Sequence, residues 1–431
     1  MKTIIWNDLD EARAGAALAR PTARENGERR AAVSAIIEEV RSGGWSTLCR
    51  IAREIDREEP RLVEVAPLAN EARRRLSAAE IAALELAVEN IRAFHEATRP
   101  QDLAVEVTPG LLIRKVWRPI ERVGLYIPGG KTPLFSTLLM LAIPARAAGV
   151  GQIVAATPPR PEGGLEPVMA LAAELSGIKA VWTVGGAQAI AALAFGAGAI
   201  SKVDKLCGPG NSWVAEAKRL VASLPRGPAI DLPAGPSELM VIADESADPA
   251  VVAADLLSQA EHDPVAQVML VTPSATVARA VTAEVERQLA DLPRRLIAQA
   301  SLDTARLIQV RDLEQATEVA NLYAPEHLSL AVKDADSLVP LIRNAGAVFA
   351  GPLAAETFGD YLAGSSHVLP TDGAARAWGG VSIYSFLKAM SVQTVSAEAA
   401  RRIAGPAALL ARLEELEGHA RAADARLKAA A

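Results

Sequence analysis

Short apolar runs that alternate with helix-length segments constrain the fold of this chain more than any other feature of its sequence. Runs at residues 123–127, 153–156 and 180–184 are each followed within two residues by glycine or proline, and then by an Ala/Leu-rich stretch. A second round begins with the runs at 239–243 and 267–271. Between them, Asp248 and Pro249 have the order expected of a helix N-cap and first turn. This alternation predicts an α/β fold with two Rossmann-like, doubly wound parallel-sheet domains.

The apolar spacing changes along the chain and predicts four regions. Residues 1–105 are expected to form a helical N-terminal region, because apolar residues at 31–40 and 81–94 have helical spacing. The two Rossmann-like domains are expected at 106–236 and 237–378, because the Pro- and Gly-containing loop 233–238 separates the two rounds. Residues 379–431 are expected to form a helical C-terminal tail, which should pack on another surface such as a second subunit.

Charge and cysteine content exclude several classes of function. The net charge of −6, with no long Lys/Arg run, argues against nucleic acid or an anionic membrane as partner. The best candidate membrane span, 134–148, is too short and is interrupted by Pro144 and Arg146. Cys49 and Cys207 are the only cysteines and are far apart in sequence, so a disulfide framework or thiolate metal site is not expected. We therefore expect a cytoplasmic protein whose metal, if any, has nitrogen and oxygen ligands.

Four of the five histidines fall in the last 170 or so residues, and each has polar neighbours. His262 follows Gln259 and Glu261, and His327 follows Glu326. His367 comes shortly after Asp360, and His419 after Glu414. Imidazole, carboxylate and amide oxygen are ligands that zinc accepts, and a histidine beside a carboxylate can act as an acid/base pair near neutral pH. The fifth histidine, His95, lies next to Phe94 on an apolar helix and is expected to be structural.

Each of these residues, taken alone, also has a structural interpretation. The helix that starts at Pro249 must end before Pro264, which places Gln259 and His262 in its last turn on one face, as ligands or as a polar helix end. Glu326 and His327 lie at a loop–strand junction, where a solvated surface pair is equally ordinary. Asp360 is expected to lie in a loop, where Asp often caps a turn. Glu414 and His419, on the C-terminal helix, could simply be exposed polar residues of its surface.

The nucleotide-binding signals are weak from the residues alone. No Gly-x-Gly-x-x-Gly follows any of the predicted strands. The segment 208–211 precedes a helix predicted to begin near Trp213, and 185–188 follows its strand in the same way; both could offer backbone N–H groups to a phosphate. Glycine turns at such junctions are also common for steric reasons.

The order and detail of these motifs change the balance, because together they resemble the histidinol dehydrogenase family. The resemblance runs from about residue 110 to 425 and rests on long, specific motifs. These are VGLYIPGG at 123–130, VGGAQAIAAL at 184–193, VDK at 203–205, GPGN at 208–211, PAGPSE at 233–238, DLLSQAEH at 255–262, APEHL at 324–328, GDY at 359–361, HVLPT at 367–371 and EGHA at 417–420.

The resemblance implies zinc- and NAD-dependent oxidation of L-histidinol, through L-histidinaldehyde, to L-histidine with two NAD, in the last steps of histidine biosynthesis. It implies an NAD-binding first domain, a second domain carrying zinc and substrate, and a homodimer whose exchanged tails complete each site with Glu414 and His419. Glu326 and His327 match the acid/base pair. One zinc per subunit would be bound by Gln259, His262, Asp360 and His419. The substrate-binding positions are Ser237, Gln259, His262, His327, Asp360, His367, Glu414 and His419, and the cofactor-binding positions are Tyr126, Gln188 and Asn211.

The chain departs from the family pattern mainly in its N-terminal third. Trp45 stands where members usually have an acidic residue, and Ile55-Asp56-Arg57 stands where they have Phe-Asp-Gly; the stretch 376–380 also differs. These departures put N-terminal packing in question, but no catalytic position.

Three alternatives stay open. A related zinc and NAD dehydrogenase could act on another small amino alcohol or polyol, although Ser237, His367 and Glu414 argue against it. A zinc hydrolase would use no nucleotide, so the absence of NAD binding would favour it. A non-catalytic homologue would not need the complete set of ligands that the chain has.

Overall fold

The computed structural model describes residues 1–20, 27–129, 133–233 and 235–430. Gly130 and Ala234, which belong to two of the motifs quoted above, lie outside the described residues.

The strands and helices follow each other in the order that the apolar pattern predicts over most of the chain. The strands are β1 (Lys2–Ile5), β2 (Arg61–Glu64), β3 (Leu103–Thr108), β4 (Leu111–Pro119), β5 (Arg122–Tyr126), β6 (Gln152–Thr157), β7 (Ala180–Thr183), β8 (Lys205–Cys207), β9 (Ala229–Ile230), β10 (Glu238–Ala243), β11 (Gln267–Thr272), β12 (Arg306–Gln309), β13 (His327–Ala331), β14 (Ala347–Ala350) and β15 (Leu387–Val395). The helices are α1 (Glu11–Ala17), α2 (Gly27–Ile55), α3 (Val65–Arg75), α4 (Ala78–Ala97), α5 (Phe135–Ala148), α6 (Pro167–Leu175), α7 (Gly186–Phe195), α8 (Ser212–Ser223), α9 (Pro249–Ala260), α10 (Ala275–Leu289), α11 (Arg295–Leu302), α12 (Leu313–Tyr323), α13 (Ala335–Leu338), α14 (Glu356–Tyr361), α15 (Ala397–Leu413) and α16 (Glu417–Ala429). Short 3-10 turns lie at Trp6–Asp8, Val339–Leu341, Ala374–Arg376 and Ile383–Phe386.

The first six-stranded sheet has the order β2-β7-β6-β5-β8-β9, and all its pairs are parallel except β2 with β7. Helix α5 lies against β5 with nearly every side chain buried, which explains why its sequence is apolar on all sides. The carboxyl ends of β5, β7 and β8 carry Tyr126 and the glycine-rich turns. That edge is where open α/β sheets commonly bind ligands.

The second six-stranded sheet has the order β1-β12-β11-β10-β13-β14 and is parallel throughout. Strands β10 and β11 are buried on both faces, as their unbroken apolar sequence predicts. Glu238 is the first residue of β10 and His327 the first residue of β13, which pairs with it. The predicted catalytic residues therefore lie at the amino edge of this sheet, opposite to the usual position.

The ends of the chain contribute strands that the sequence analysis did not predict. Within the first 105 residues, β1 joins the second sheet and β2 the first. In the tail, β15 pairs with β4, which also pairs with β3, to form a small antiparallel sheet of order β15-β4-β3. These strands are short or lie at sheet edges, so their apolar periodicity is weak. The α/β class with two doubly wound parallel sheets is confirmed, whereas the four domain boundaries remain a prediction.

The structure explains how the chain accommodates its departure at Trp45. The ring lies edge-on to Trp182 of β7, with centroids 5.8 Å apart. Gly198 leaves the space, since a Cβ there would stand 2.7 Å from the Trp45 ring. The helix carrying Trp45 is kinked at Gly44, whose φ of 59° lies in the left-handed region that favours glycine.

Among the described residues, no helix combines the length and the apolar character needed to cross a membrane.

Candidate active site

Gln259 and His262 come from the end of α9, whose start is confirmed: Asp248 caps it and Pro249 is its first residue. The helix ends at Ala260, so His262 follows the C-cap residue and does not lie in the last turn, as the spacing had predicted. The His262 N–H still donates to the Gln259 carbonyl at 3.2 Å. Gln259 is fully buried and His262 is exposed, so they differ in access to solvent.

His327 is held by acceptors on one side of its ring. Its Nδ1 lies 3.1 Å from the Glu238 carbonyl oxygen and 3.2 Å from Gln259 Oε1. Because both oxygens can only accept, Nδ1 carries the proton and donates to them. Burial lowers the pKa of His327 to about 3, so the ring is neutral near pH 7. Its Nε2 is then an unprotonated, buried nitrogen without a partner among the described residues.

Glu326 is buried beside it. Its Oε2 accepts the Glu238 N–H at 2.9 Å, whereas 3.6 Å separates Oε2 from His327 Nδ1. That distance is too long for a hydrogen bond, and a neutral ring forms no ion pair. Burial raises the pKa of Glu326 well above its ordinary value, and the nearby Glu238 and Asp360 carboxylates raise it further. Glu326 therefore binds a proton more readily than a surface glutamate does.

Glu356 is a site residue that the sequence analysis missed. Its Oε1 lies 3.4 Å from His327 Nδ1, and its Oε2 is buried with no partner among the described residues. Burial and the charges of Asp360 and Glu326 raise its pKa well above the ordinary value. A signal was present, because Glu356 and Asp360 are four residues apart and so share a face of α14.

Asp360 lies in the short helix α14 and not in a loop, as had been expected. Its carbonyl accepts the Nδ1–H of His367 at 2.9 Å, and the other ring nitrogen, Nε2, lies 3.1 Å from the Thr137 hydroxyl. Thr137 belongs to α5, which packs on the first sheet. His367 therefore links Asp360, at the site on the second sheet, to a helix of the first sheet. Burial raises the pKa of the Asp360 carboxyl to about 6, against an opposing effect of His262.

Three of these side chains have the chemistry and the spacing of a metal-binding set. His327, Glu356 and Asp360 are the only group of at least three His, Cys, Asp or Glu residues in the described chain whose ligand atoms all lie within 4.8 Å of one another. The unpartnered Glu356 Oε2 and the raised pKa values of the Glu356 and Asp360 carboxyls are features that a cation would offset. The donors fit zinc, which accepts imidazole nitrogen and carboxylate oxygen.

The structure brings the predicted zinc ligands together only in part. Asp360 belongs to this cluster, Gln259 contacts His327, and the proximity of His262 opposes the rise in the pKa of Asp360. His419 is exposed on α16, and Glu414 is exposed as the C-cap of α15. Neither belongs to the cluster. The tail carrying them bonds instead to the β3–β4 turn, where the Ser396 N–H donates to the Gly110 carbonyl at 2.8 Å. Ser237, another predicted substrate residue, is half-buried and directly precedes β10.

The predicted cofactor residues lie at the carboxyl edge of the first sheet. The Tyr126 hydroxyl accepts the Gly186 N–H at 3.1 Å, and burial raises the pKa of Tyr126 to about 12. Gln188 is fully buried, and its Nε2 donates to Asp56 Oδ2 at 3.1 Å; the same oxygen accepts the Gly185 N–H at 3.0 Å. The glycine N–H groups that could have met a phosphate are therefore bound by side chains of the chain itself.

Asn211 is the N-cap of α8, which begins one residue before the predicted Trp213. Its Oδ1 accepts the N–H groups of Trp213 and Val214 at 3.0 and 3.1 Å. The turn before it is fixed by a buried ion pair, because Lys218 Nζ donates to the Gly208 carbonyl at 2.7 Å and Asp231 Oδ2 accepts the Gly208 N–H at 2.6 Å. The exposed Asn211 side chain thus stands on a rigid turn.

The sequence profile of the histidinol dehydrogenase family matches residues 19–427. The chain belongs to the histidinol dehydrogenase family. It is 46% identical over 429 residues to the histidinol dehydrogenase of Vibrio parahaemolyticus, covering 99% of both chains, and 46% identical over 431 residues to that of Xylella fastidiosa strain Temecula1, covering 100% of both. The crystal structure of histidinol dehydrogenase from Elizabethkingia anophelis superposes with a TM-score of 0.95 at 38% identity, over 100% of this chain and 98% of that one.

Membership in the histidinol dehydrogenase family confirms the resemblance seen in the sequence and the predicted enzyme class, an NAD-dependent dehydrogenase. The relatives match almost end to end, so the atypical N-terminal third belongs to the same family fold. The roles of individual site residues remain predictions.

Proposed function

We propose that this enzyme oxidises L-histidinol, through L-histidinaldehyde, to L-histidine with two NAD and one zinc ion per subunit, in the last steps of histidine biosynthesis. The observation that carries the proposal is the free Nε2 of a neutral, buried His327, placed beside Glu326 and a cluster of carboxyls. The relatives named above are histidinol dehydrogenases, which supports the choice of substrate.

His327 acts as the base in the first oxidation. Its Nδ1–H is held by the Glu238 carbonyl and Gln259 Oε1, so the tautomer is fixed and Nε2 is available to take the proton of the substrate hydroxyl. A base placed in this way typically contributes about 10²–10⁴-fold to the rate. The low pKa of His327 keeps the ring unprotonated before the reaction; binding of a negatively charged transition state would raise its proton affinity at the required moment.

Glu326 acts as the base in the second oxidation, because an aldehyde must gain water before it can lose a second hydride. The Glu238 N–H fixes one carboxylate oxygen at 2.9 Å and leaves the other free to accept a proton from water. The raised pKa of Glu326 favours that transfer.

Zinc, when bound, would act as a Lewis acid that fixes and polarises the substrate. We propose Gln259, His262, Asp360 and His419 as its ligands, as the resemblance implies, with Glu356 next to them. We further propose that Ser237, His367 and Glu414 contact the substrate, and that Tyr126, Gln188 and Asn211 contact NAD. The support is positional: these residues line the carboxyl edge of the first sheet or the amino edge of the second, except those of the tail.

The tail residues support a homodimer. Glu414 and His419 are exposed, and the leucines at 409, 410, 413 and 416, at the end of α15 and the start of α16, are 42–81% exposed. Such an apolar surface is costly in water. We propose that it packs on a second subunit and delivers Glu414 and His419 to that subunit's site. We also propose a cytoplasmic location, for which two unpaired, buried cysteines are suited.

The test is the number of NADH molecules formed per L-histidinol consumed. We expect two from the purified protein, none after chelation, and two again after zinc is restored. In Glu326→Gln the yield of a single turnover should fall toward one, with trappable aldehyde, because the hydration step loses its base. Glu286→Gln removes an exposed carboxylate on α10 and serves as the matched control, with unchanged yield.

No NADH from the zinc-loaded enzyme with L-histidinol would contradict the substrate assignment, and turnover of a polyol instead would establish the related-dehydrogenase alternative. Two NADH per L-histidinol from Glu326→Gln, formed at the wild-type rate, would show that Glu326 is not the base of the second oxidation.

A further inference from the structure

Arg20 is a largely buried cation of intermediate exposure that the reaction described above does not use. It follows α1 in the N-terminal region, and its side chain is only 15% exposed. Its Nε and Nη2 both donate to the carboxylate of Glu238, the latter at 2.8 Å. The same Nη2 lies 3.0 Å from the Tyr323 carbonyl oxygen and 3.2 Å from that of Ala324, and the guanidinium stacks 3.8 Å from the Tyr323 ring centroid.

The main chain of Glu238 touches both proposed catalytic residues. Its N–H donates to Glu326 Oε2 at 2.9 Å, and its carbonyl accepts His327 Nδ1–H at 3.1 Å. Its carboxylate, besides binding Arg20, accepts the Asp372 N–H at 3.1 Å. The orientation of the catalytic pair therefore depends on where the first residue of β10 lies.

The other end of the Arg20 contact is the turn that leads into the catalytic pair. Ala324 ends α12 in the left-handed region with φ of 56°, a conformation that costs a non-glycine residue about 1–2 kcal/mol. Pro325 follows, and then Glu326 and His327. By donating to the carbonyl of Ala324 and to that of the residue before it, Arg20 holds this strained turn in place.

We propose that Arg20 is a positioning residue for Glu326 and His327, an inference that rests on the function proposed above. One planar guanidinium joins the start of β10 to the turn before β13, so two segments that are 88 residues apart at Glu238 and Glu326 keep a fixed spacing. Lysine cannot reproduce this, because an ammonium group has no planar fork to bind a carboxylate and two carbonyls together.

The test compares Arg20→Lys and Arg20→Gln with the wild type. Misplacement of reacting groups by about 1 Å can cost about 10²-fold, so we expect kcat with L-histidinol to fall by about that factor in Arg20→Gln and by a smaller factor in Arg20→Lys. The KM for NAD should stay within twofold, because the proposed NAD residues belong to the other sheet. Arg13→Gln, which removes an exposed arginine from the same segment, is the matched control.

Arg20→Gln leaves the buried Glu238 carboxylate without its partner and could prevent folding. Arg20→Lys keeps the positive charge opposite Glu238 and so controls for misfolding caused by an unpaired buried carboxylate. The double variant Arg20→Gln/Glu238→Gln is a second control, because it removes both charges. Wild-type kcat in a folded Arg20→Lys and in the folded double variant would overturn the proposal. So would a parallel loss of kcat and NAD affinity, which indicates general destabilisation.

A measurement without substrate separates this proposal from the proposed function. With ¹⁵N-histidine labelling, the chain gives signals from only five imidazoles. The hydrogen-bonded Nδ1–H of His327 should be observable in the wild type and in Arg13→Gln, and should be lost to solvent exchange in Arg20→Gln. If the wild type does not oxidise L-histidinol, the proposed function fails, and this signal still decides the role of Arg20: an unchanged Nδ1–H signal in the variants would refute it.

Discussion

Removing the Asp56 carboxylate should weaken NAD binding without affecting the zinc side of the enzyme. One oxygen of Asp56 accepts both the Gly185 N–H and Gln188 Nε2–H, at 3.0 and 3.1 Å. In Asp56→Ala each donor loses its partner, at about 1–3 kcal/mol per donor. Water can reach the half-buried position, and burial already raises the pKa of Asp56. Both effects reduce the free-energy cost of the substitution, so the total for the two donors lies at the low end of the range, about 2 kcal/mol.

That free energy sets the upper limit of the effect on the cofactor. If NAD binds only when Gln188 is in place, binding must restore the ordered arrangement, and about 2 kcal/mol corresponds to roughly 30-fold in Kd. Asp56→Asn keeps an acceptor oxygen but loses the charge, so about half of the loss is expected. Asp204→Asn is the control on the same sheet, since Asp204 pairs with Arg122 in an exposed ion pair of little energetic value.

The assay is calorimetric titration of NAD into each variant, with zinc content and thermal unfolding measured on the same samples. We expect Kd to increase in the order Asp204→Asn, Asp56→Asn, Asp56→Ala, at constant zinc content. A Kd for Asp56→Ala within twofold of the wild type, with wild-type stability, would refute the reasoning. A loss of stability at unchanged Kd would mean that Asp56 stabilises the fold and that Gln188 does not contribute to NAD binding.

Two further predictions concern stability. Arg57 has φ of 62°, in the left-handed region that favours glycine, so Arg57→Gly should stabilise the protein by roughly 1 kcal/mol in urea unfolding; an unchanged or lower stability would contradict this. Burial lowers the pKa of His95 to about 4 in the folded protein. As the pH falls, the imidazole is therefore protonated in the unfolded chain before it is protonated in the folded protein, and stability is lost between about pH 6.5 and 4. His95→Leu should remove about 2 kcal/mol of the wild-type decrease between pH 7 and 5, whereas parallel pH curves would refute it.

The parallel strands of both sheets could be predicted because their burial on two faces leaves unbroken apolar runs in the sequence. Neither end of β5, β6, β10 or β11 differs by more than one residue from the end of the predicted apolar run. The strand β15 was missed for the opposite reason. It is largely exposed and mixes polar with apolar side chains, so nothing in its composition distinguishes it from a loop.

The candidate site shows the limit of local patterns. Glu326 and His327 were found because they are adjacent and polar before an apolar run. Glu356 was missed although it lies four residues before Asp360, since a glutamate on a short polar segment is usually solvent-exposed; its burial comes from packing against residues remote in sequence. Arg20 illustrates the same point, because its partner Glu238 is 218 residues away. Contacts of this kind depend on the three-dimensional fold and cannot be derived from spacing.

The pairing of the first strand has a consequence for how the chain is made. Lys2 of β1 pairs with Arg306 of β12, so 306 − 2 = 304 residues must leave the ribosome before this edge of the second sheet can form. At about 5–20 residues per second, that delay is roughly 15–60 s. Throughout this delay, the unpaired edge of β1 must avoid other strand partners. Synthesis of this enzyme therefore includes a long period in which β1 has been made but β12, its partner at the edge of the second sheet, has not.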